Sequence, residues 1–78
     1  MSGTIKQGKI LVLGAGNFGT CLAEHLAREG WSVDIWSRSK TIVDGINNHH
    51  KNPKYLSTIT LTPTLTAINH IEASHIND

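Results

Sequence analysis

In the first half of the chain, the spacing of apolar residues changes from a strand-like pattern to a helical one and back. Residues 9–13 form a short apolar, partly β-branched run that is typical of a buried parallel strand. Residues 20–29 contain no Gly or Pro and place apolar side chains at helical spacing, and Gly30 follows in the position of a helix C′ residue. Strand-like alternation returns at residues 31–36. The pattern predicts a strand, a helix of roughly 12 residues and a second strand parallel to the first, joined by a right-handed crossover.

Residues 40–48 predict a short second helix. Ile42, Val43 and Ile46 supply its apolar face, whereas Gly45 weakens it because glycine is a poor helix former. The polar, turn-rich residues 47–53 then predict a loop.

The last third of the chain shows strict alternation of Thr with mostly apolar residues over positions 58–67. Because Pro63 cannot donate to a central ladder, we expect a regular strand only at about residues 64–68, with an extended lead-in before it. Asn69 is a candidate N-cap for a final short helix over residues 70–76.

The turn between the first strand and the first helix carries the chemistry. Its sequence, Gly14-Ala15-Gly16-Asn17-Phe18-Gly19, reads Gly-x-Gly-x-x-Gly in the strand–turn–helix order that a dinucleotide-binding fingerprint requires. Gly14 permits the tight turn, Gly16 lets phosphates approach the backbone, and Gly19 lets the helix pack closely on the sheet. The fold class is therefore α/β: a partial Rossmann domain, which is a doubly wound parallel sheet, with β-α-β-α-β order and a final short helix.

The end of the second strand bears on the choice of cofactor. An NAD-preferring site places an Asp or Glu there for the ribose 2′-hydroxyl, but Asp34 lies inside the strand and Ser37 and Arg38 follow its end. A guanidinium at this position can bind a 2′-phosphate. The sequence therefore leaves NAD and NADP both open, with Arg38 as a candidate contact.

Composition narrows the class of protein. The net charge of +1 gives no basic stripe, so nucleic acid is not an expected partner. No apolar run approaches the length of a membrane span, and the polar start lacks a signal-peptide core. The single cysteine, Cys21, is expected to be a small buried hydrophobe in the first helix, and a cytoplasmic setting is favoured. His49 and His50 lack neighbouring ligands at zinc spacing, so no metal is expected.

A second motif, Ile46-Asn47-x-x-His50-x-Asn52-x-x-Tyr55-Leu56, is far more specific than the glycine turn. It occurs together with the glycine turn and Thr20, Leu26-Ala27 with Gly30, Trp36-Ser37-Arg38, and Leu61, Pro63 and Ala67. In these stretches the chain resembles the opening of NAD(P)-dependent sn-glycerol-3-phosphate dehydrogenase, from which it departs at Ser57, usually proline, and at Phe18, commonly tryptophan or tyrosine.

The resemblance implies cofactor contact but no catalytic residue in this chain. The implied cofactor is NAD or NADP, and the positions that carry over as its contacts are Gly14, Gly16, Asn17, Phe18, Gly19, Arg38 and Tyr55. Residues 1–78 are expected to be the N-terminal portion of a Rossmann domain, with the rest of that domain and a helical substrate domain absent. Lys40, Lys51 and Lys54 do not match the family's acid/base lysine, so we expect no turnover from the chain alone.

In the complete enzyme, the resemblance implies reversible hydride transfer between the nicotinamide C4 and C2 of dihydroxyacetone phosphate, which interconverts this compound and sn-glycerol 3-phosphate. It also implies a homodimer. Two other functions stay open at this point. One is a stand-alone nucleotide-binding module, and the other is an interaction piece that docks on a full-length subunit through an exposed sheet edge.

Overall fold

The computed structural model describes residues 8–71 and contains three strands and two helices in that range. The element bounds are β1 Lys9–Leu13, α1 Asn17–Arg28, β2 Ser32–Trp36, α2 Lys40–His49 and β3 Thr66–Ile68. The strands are parallel and lie in the order β1-β2-β3, with Ile10 beside Val33 in the first pair and Ile35 beside Ala67 in the second. This confirms the predicted α/β class and its β-α-β-α-β order.

Helix α1 begins at Asn17 rather than at the predicted Thr20. Gly16 serves as its N-cap, so the last three residues of the Gly-x-Gly-x-x-Gly motif belong to the helix. The helix ends as predicted at glycine. Gly30 has φ +99°, and its N–H donates to Ala27 O while the Trp31 N–H donates to Leu26 O. These two bonds form a Schellman motif. The motif uses Trp31, so β2 begins at Ser32 rather than at residue 31.

Helix α2 has a regular cap at each end. Ser39 Oγ accepts a hydrogen bond from the Ile42 N–H at 3.3 Å, and His50 closes the helix in the left-handed region with φ +57°. Gly45, which weakened the sequence prediction, is buried against the following loop. A Cβ built there would lie 2.6 Å from Pro53 Cδ and 2.8 Å from Lys51 O. The glycine therefore lets the loop cross the helix at close range.

Strand β3 is shorter than predicted, since Thr64 and Leu65 do not belong to it. The Leu65 N–H donates to Thr62 O at 2.9 Å, so these residues form a turn around Pro63. The alternation still has a structural cause, because Leu61 and Leu65 are both buried. His70 and Ile71 are not helical, and the remainder of the predicted final helix lies outside the described residues.

The core lies between the sheet and the two helices, with Val33, Ile35 and Ile46 almost fully buried. Cys21 is exposed, so its predicted burial was wrong. The reason is the direction in which α1 faces: Ala23 and Ala27 face the sheet, and Cys21 lies outside that stripe. Within residues 8–71, no helix is long and apolar enough to cross a bilayer.

The two edges of the sheet differ. Ile68 O accepts from Ser37 on the β2 side, so the neighbouring Ala67 groups point away from β2. There Asn47 of α2 donates to Ala67 O at 2.9 Å and accepts from Ala67 N–H at 2.8 Å. In the part of the chain that the structure describes, β1 has a partner strand on one side only. Leu13, the last residue of β1, is exposed.

Candidate functional site

The glycine turn joins the end of β1 to the start of α1 and is held by backbone contacts. Gly14 has φ +106°, a value that favours glycine, and its N–H donates to Trp36 O at 2.9 Å. A Cβ built on Gly19 would collide with the Gly14 carbonyl oxygen and lie 3.6 Å from Val12 Cγ1. Gly19 therefore seats the helix directly on the end of the strand.

The N-terminus of α1 offers hydrogen-bond donors that the helix itself does not use. The first backbone bond of the helix runs from the Thr20 N–H to Gly16 O, so the N–H groups before it lack intrahelical acceptors. Gly16 provides no side-chain cap, and the first turn contains no acidic residue. Free N–H groups at the positive end of a helix dipole are a binding site for an anion such as a phosphate.

A cleft of about 280 Å³ opens beside this turn. Its walls come from four segments of the chain, which are the turn, the end of β2, the start of α2 and the loop that follows α2. The lining residues are Gly14, Ala15, Gly16, Trp36, Ser37, Arg38, Ser39, Ile42, Lys54 and Tyr55. The predicted site residues Gly14, Gly16, Arg38 and Tyr55 thus share one cleft.

Among residues 8–71, the charged residues that line the cleft are both basic. Arg38 and Lys54 belong to it, and no carboxylate of that range does. Asp34, the acidic residue of β2, is 5% exposed and forms an ion pair with Lys9 at 3.4 Å. Ser37 follows the strand instead, with its Oγ accepting from the Ser39 N–H. The cleft therefore has a positive rim where a carboxylate would otherwise favour a ribose hydroxyl.

The other predicted site residues lie on the far side of the turn. Asn17, Phe18 and Gly19 line a largely apolar groove along β1, which Gly14 and Gly16 also border. Phe18 is 79% exposed, and Leu13 is close to it in the same groove. The structure thus separates Phe18 from Arg38 and Tyr55, with the glycine turn between them.

Asn52 is a residue of the site that the sequence interpretation left in a loop. Its side chain is 0% exposed, and its Nδ2 donates to both Ala15 O and Thr20 Oγ1 at 2.9 Å. Its Oδ1 accepts from the N–H groups of Lys54 and Tyr55 at 3.0 and 3.1 Å. The sequence signal for Asn52 was its place in the second motif. Hydrophobic periodicity gives no information about the role of such a polar residue.

Glu24 ties a later part of the same loop to α1. Its carboxylate accepts from the Thr62 N–H and hydroxyl at 2.7 Å each, and it pairs with Arg28 Nε at 2.7 Å. Burial would raise the pKa of this carboxyl, but the two Thr62 hydrogen bonds and the Arg28 cation together hold the pKa below its ordinary value. The buried charge is therefore fully partnered.

The paired histidines, His49 and His50, lie at the C-terminal end of α2. His50 is the C-cap, and its carbonyl oxygen accepts from the Leu61 N–H at 2.7 Å. In the part of the chain that the structure describes, no three potential ligands come together around one point.

Residues 9–77 match the sequence model of a family described as the NAD-dependent glycerol-3-phosphate dehydrogenase N-terminus. The chain belongs to this family. It is 48% identical over 59 residues to the glycerol-3-phosphate dehydrogenase (NAD(P)+) of Stenotrophomonas maltophilia, covering 76% of this chain and 17% of that protein. It is 41% identical over 66 residues to the enzyme of the same name from Limosilactobacillus fermentum, covering 85% and 20%.

Solved structures of glycerol-3-phosphate dehydrogenases share the fold. The crystal structure from Coxiella burnetii superposes with a TM-score of 0.75 at 39% identity, over 85% of this chain and 20% of the other. The Plasmodium falciparum structure gives a TM-score of 0.72 at 33% identity, over 88% and 22%. The chain thus spans about one fifth of the length of these relatives.

Proposed function

We propose that this chain supplies the dinucleotide-binding turn and the adenosine side of an NAD(P)-dependent glycerol-3-phosphate dehydrogenase. The observation that carries the proposal is the uncapped N-terminus of α1 behind the glycine turn, in a chain of this family. A Cβ built on Gly16 meets no atom within 4 Å, so the glycine leaves open space in front of the free N–H groups. A pyrophosphate fits this arrangement, with Gly14, Gly16, Asn17 and Gly19 at its contacts.

The side chains of the cleft then bind the adenosine half. Arg38 lies at the ribose or its 2′-phosphate, Tyr55 lies on the adenine side, and Lys54 adds a second cation to the same rim. Because Arg38 lines the cleft and no carboxylate among residues 8–71 does, we infer that the site accepts NADP as well as NAD. Phe18 lies across the turn, on the side of the pyrophosphate that leads away from the adenosine.

In the complete enzyme, a bound reduced nicotinamide would donate a hydride to C2 of dihydroxyacetone phosphate, and an oxidised one would accept it from C2 of sn-glycerol 3-phosphate in the reverse direction. This chain's share is orientation, since holding the donor in place removes entropy from the barrier. None of Lys40, Lys51 and Lys54 corresponds to the family's acid/base lysine, so the chain alone gives no turnover. The family likeness also supports a cytoplasmic homodimer as the complete form.

Titration calorimetry with NADPH and NADH tests the proposal. The chain should bind both, and Gly16→Val should weaken binding by at least about tenfold, because a branched side chain fills the space in front of the turn. Arg38→Ala should weaken NADPH more than NADH. Lys40→Ala is the matched control, since it removes a cation that pairs with Asp44 outside the cleft. Lack of binding by the folded chain, or equal binding by Gly16→Val, would contradict the proposal.

The open side of β1 favours a second candidate, an interaction piece that docks on a full-length dehydrogenase subunit. Within residues 8–71, no strand pairs with the outer edge of β1, and exposed Leu13, Phe18 and Leu22 lie in the groove beside it. Co-purification with a full-length subunit, abolished by a charge at Leu13, would support docking. A stand-alone nucleotide-binding module would instead bind NADPH and retain no such subunit.

A further inference from the structure

Asn52 uses its entire hydrogen-bonding capacity inside the protein. A carboxamide has two N–H donors and one oxygen with two lone pairs. Both donors are used, on Ala15 O and Thr20 Oγ1, and both lone pairs accept, from Lys54 and Tyr55 N–H. The side chain is 0% exposed, so no bond to water replaces any of these.

Three of the four partners of Asn52 line the cleft, and they come from two separate segments of its wall. Ala15 belongs to the glycine turn, whereas Lys54 and Tyr55 belong to the loop after α2. The fourth partner, Thr20, lies near the start of α1, where the free donors are. A single buried side chain therefore links the pyrophosphate end of the proposed site to its adenosine end.

The glycine turn needs such an anchor because its own residues restrict it little. Three of the six residues from Gly14 to Gly19 are glycines, which lose more conformational freedom on ordering than any other residue. A site that is ordered before the ligand arrives binds more tightly than one that the ligand must order. Gly14 N–H of the turn is bonded to Trp36 O, and Gly16 O accepts from the Thr20 N–H of α1, whereas Ala15 O is bonded to Asn52 of the distant loop.

The loop that carries Asn52 is itself positioned by α2. Gly45 lets Lys51 O and the Pro53 ring lie against the helix, and the Lys51 N–H donates to Gly45 O at 3.2 Å. The residues on either side of Asn52 are thus seated on a helix, which directs the Asn52 side chain toward the turn.

We propose that Asn52 is a positioning residue that fixes the glycine turn relative to the Lys54–Tyr55 wall, and so sets the spacing between the pyrophosphate and adenosine subsites. The inference rests on the proposed function. Asparagine suits this role because aspartate lacks the two donors and leucine lacks all four polar contacts. Asn52 itself touches no ligand in this account and acts through the residues it holds.

The test compares NADPH with 2′-AMP, which carries the adenine and the 2′-phosphate but no pyrophosphate. Asn52→Asp keeps the acceptors for Lys54 and Tyr55 but loses the donors to Ala15 and Thr20. We expect it to weaken NADPH by at least about tenfold while 2′-AMP changes by less than about twofold. A purely structural loss would lower both affinities in the same proportion, which would overturn the inference.

Thr20→Val keeps the test decisive if the aspartate variant does not fold. It removes only the Thr20 acceptor and should shift the ratio of the two affinities in the same direction by a smaller factor. Thr20→Ser restores the hydroxyl and should restore the ratio, and exposed Asn48→Ala should behave like the wild type. Wild-type ratios in both Asn52→Asp and Thr20→Val would refute the role of Asn52 alone. Failure of the folded wild type to bind NADPH would refute the proposed function.

Discussion

One added methyl group should weaken cofactor binding at Gly16 but destabilise the fold at Gly19, although both glycines belong to the same turn. Gly16 has φ −80° and ψ −165°, which any residue can adopt, and its built Cβ meets no atom within 4 Å. At Gly19 the built Cβ collides with the Gly14 carbonyl oxygen and lies 3.1 Å from the Gly14 carbonyl carbon. Gly16→Ala therefore perturbs the space in front of the helix, and Gly19→Ala perturbs the fold.

The magnitudes follow from these contacts. For Gly16→Ala, reduced freedom of the unfolded chain stabilises by about 0.4–1 kcal/mol, and the loss of a good N-cap residue offsets this by a similar amount. The two terms nearly cancel, so the net change in unfolding free energy should be within about 0.5 kcal/mol. For Gly19→Ala the obstacle is backbone, so helix α1 must move, and overpacking of this kind costs about 1–3 kcal/mol. In a small domain each 1 kcal/mol corresponds to roughly 4–8 °C in Tm.

Thermal unfolding by circular dichroism and NADPH titration together check both variants. Gly16→Ala should melt within about 4 °C of the wild type and bind NADPH at least about tenfold more weakly, a loss of about 1.4 kcal/mol. Gly19→Ala should melt at least about 4 °C lower. The reasoning is refuted if Gly16→Ala binds NADPH normally, or if Gly19→Ala melts like the wild type.

Three further substitutions test other contacts. Glu24→Gln should lower the free energy of unfolding at neutral pH. Because folding lowers the pKa of Glu24, the difference from the wild type should shrink as the pH falls below about 4.5. A difference that does not change with pH in denaturant titrations would contradict the partnered, ionised state of Glu24. Asn47→Ala removes both bonds to Ala67 and should lower the free energy of unfolding by about 1–2 kcal/mol, whereas an unchanged urea midpoint would show that this edge needs no cover. Gly45→Ala should lower Tm despite alanine's higher helix propensity, since its Cβ would lie 2.6 Å from Pro53 Cδ; a raised Tm would count against the close loop packing.

The regular elements could be predicted where local sequence decides them. β1 is an apolar run that ends at a glycine with positive φ, and Gly30 ends α1 through a local Schellman motif. The start of α1 was placed too late because Asn17 and Phe18 look like turn residues, although Gly16 alone can cap the helix. These features depend on residues within one or two turns of each other.

The parts that could not be predicted depend on partners distant in sequence. Asn52 bonds to Ala15, 37 residues away, and Asn47 bonds to Ala67, 20 residues away. The spacing of apolar residues gives no information about such distant hydrogen-bonded pairs. From the sequence, both asparagines look like ordinary loop or helix-end residues. Cys21 was misplaced for a related reason, since the buried stripe of α1 includes the polar Thr20 and Glu24, whose partners lie in the distant loop.

The most direct test of the account is a two-dimensional amide NMR titration of the chain with NADPH. Binding at the glycine turn should shift the amide signals of residues 14–20 first, together with those of Arg38 and Tyr55 on the facing wall. The exposed end of α2 around Asn48 should stay unchanged. Shifts confined to surfaces away from the turn, or no shifts in a folded chain, would contradict the claim that this turn binds the dinucleotide.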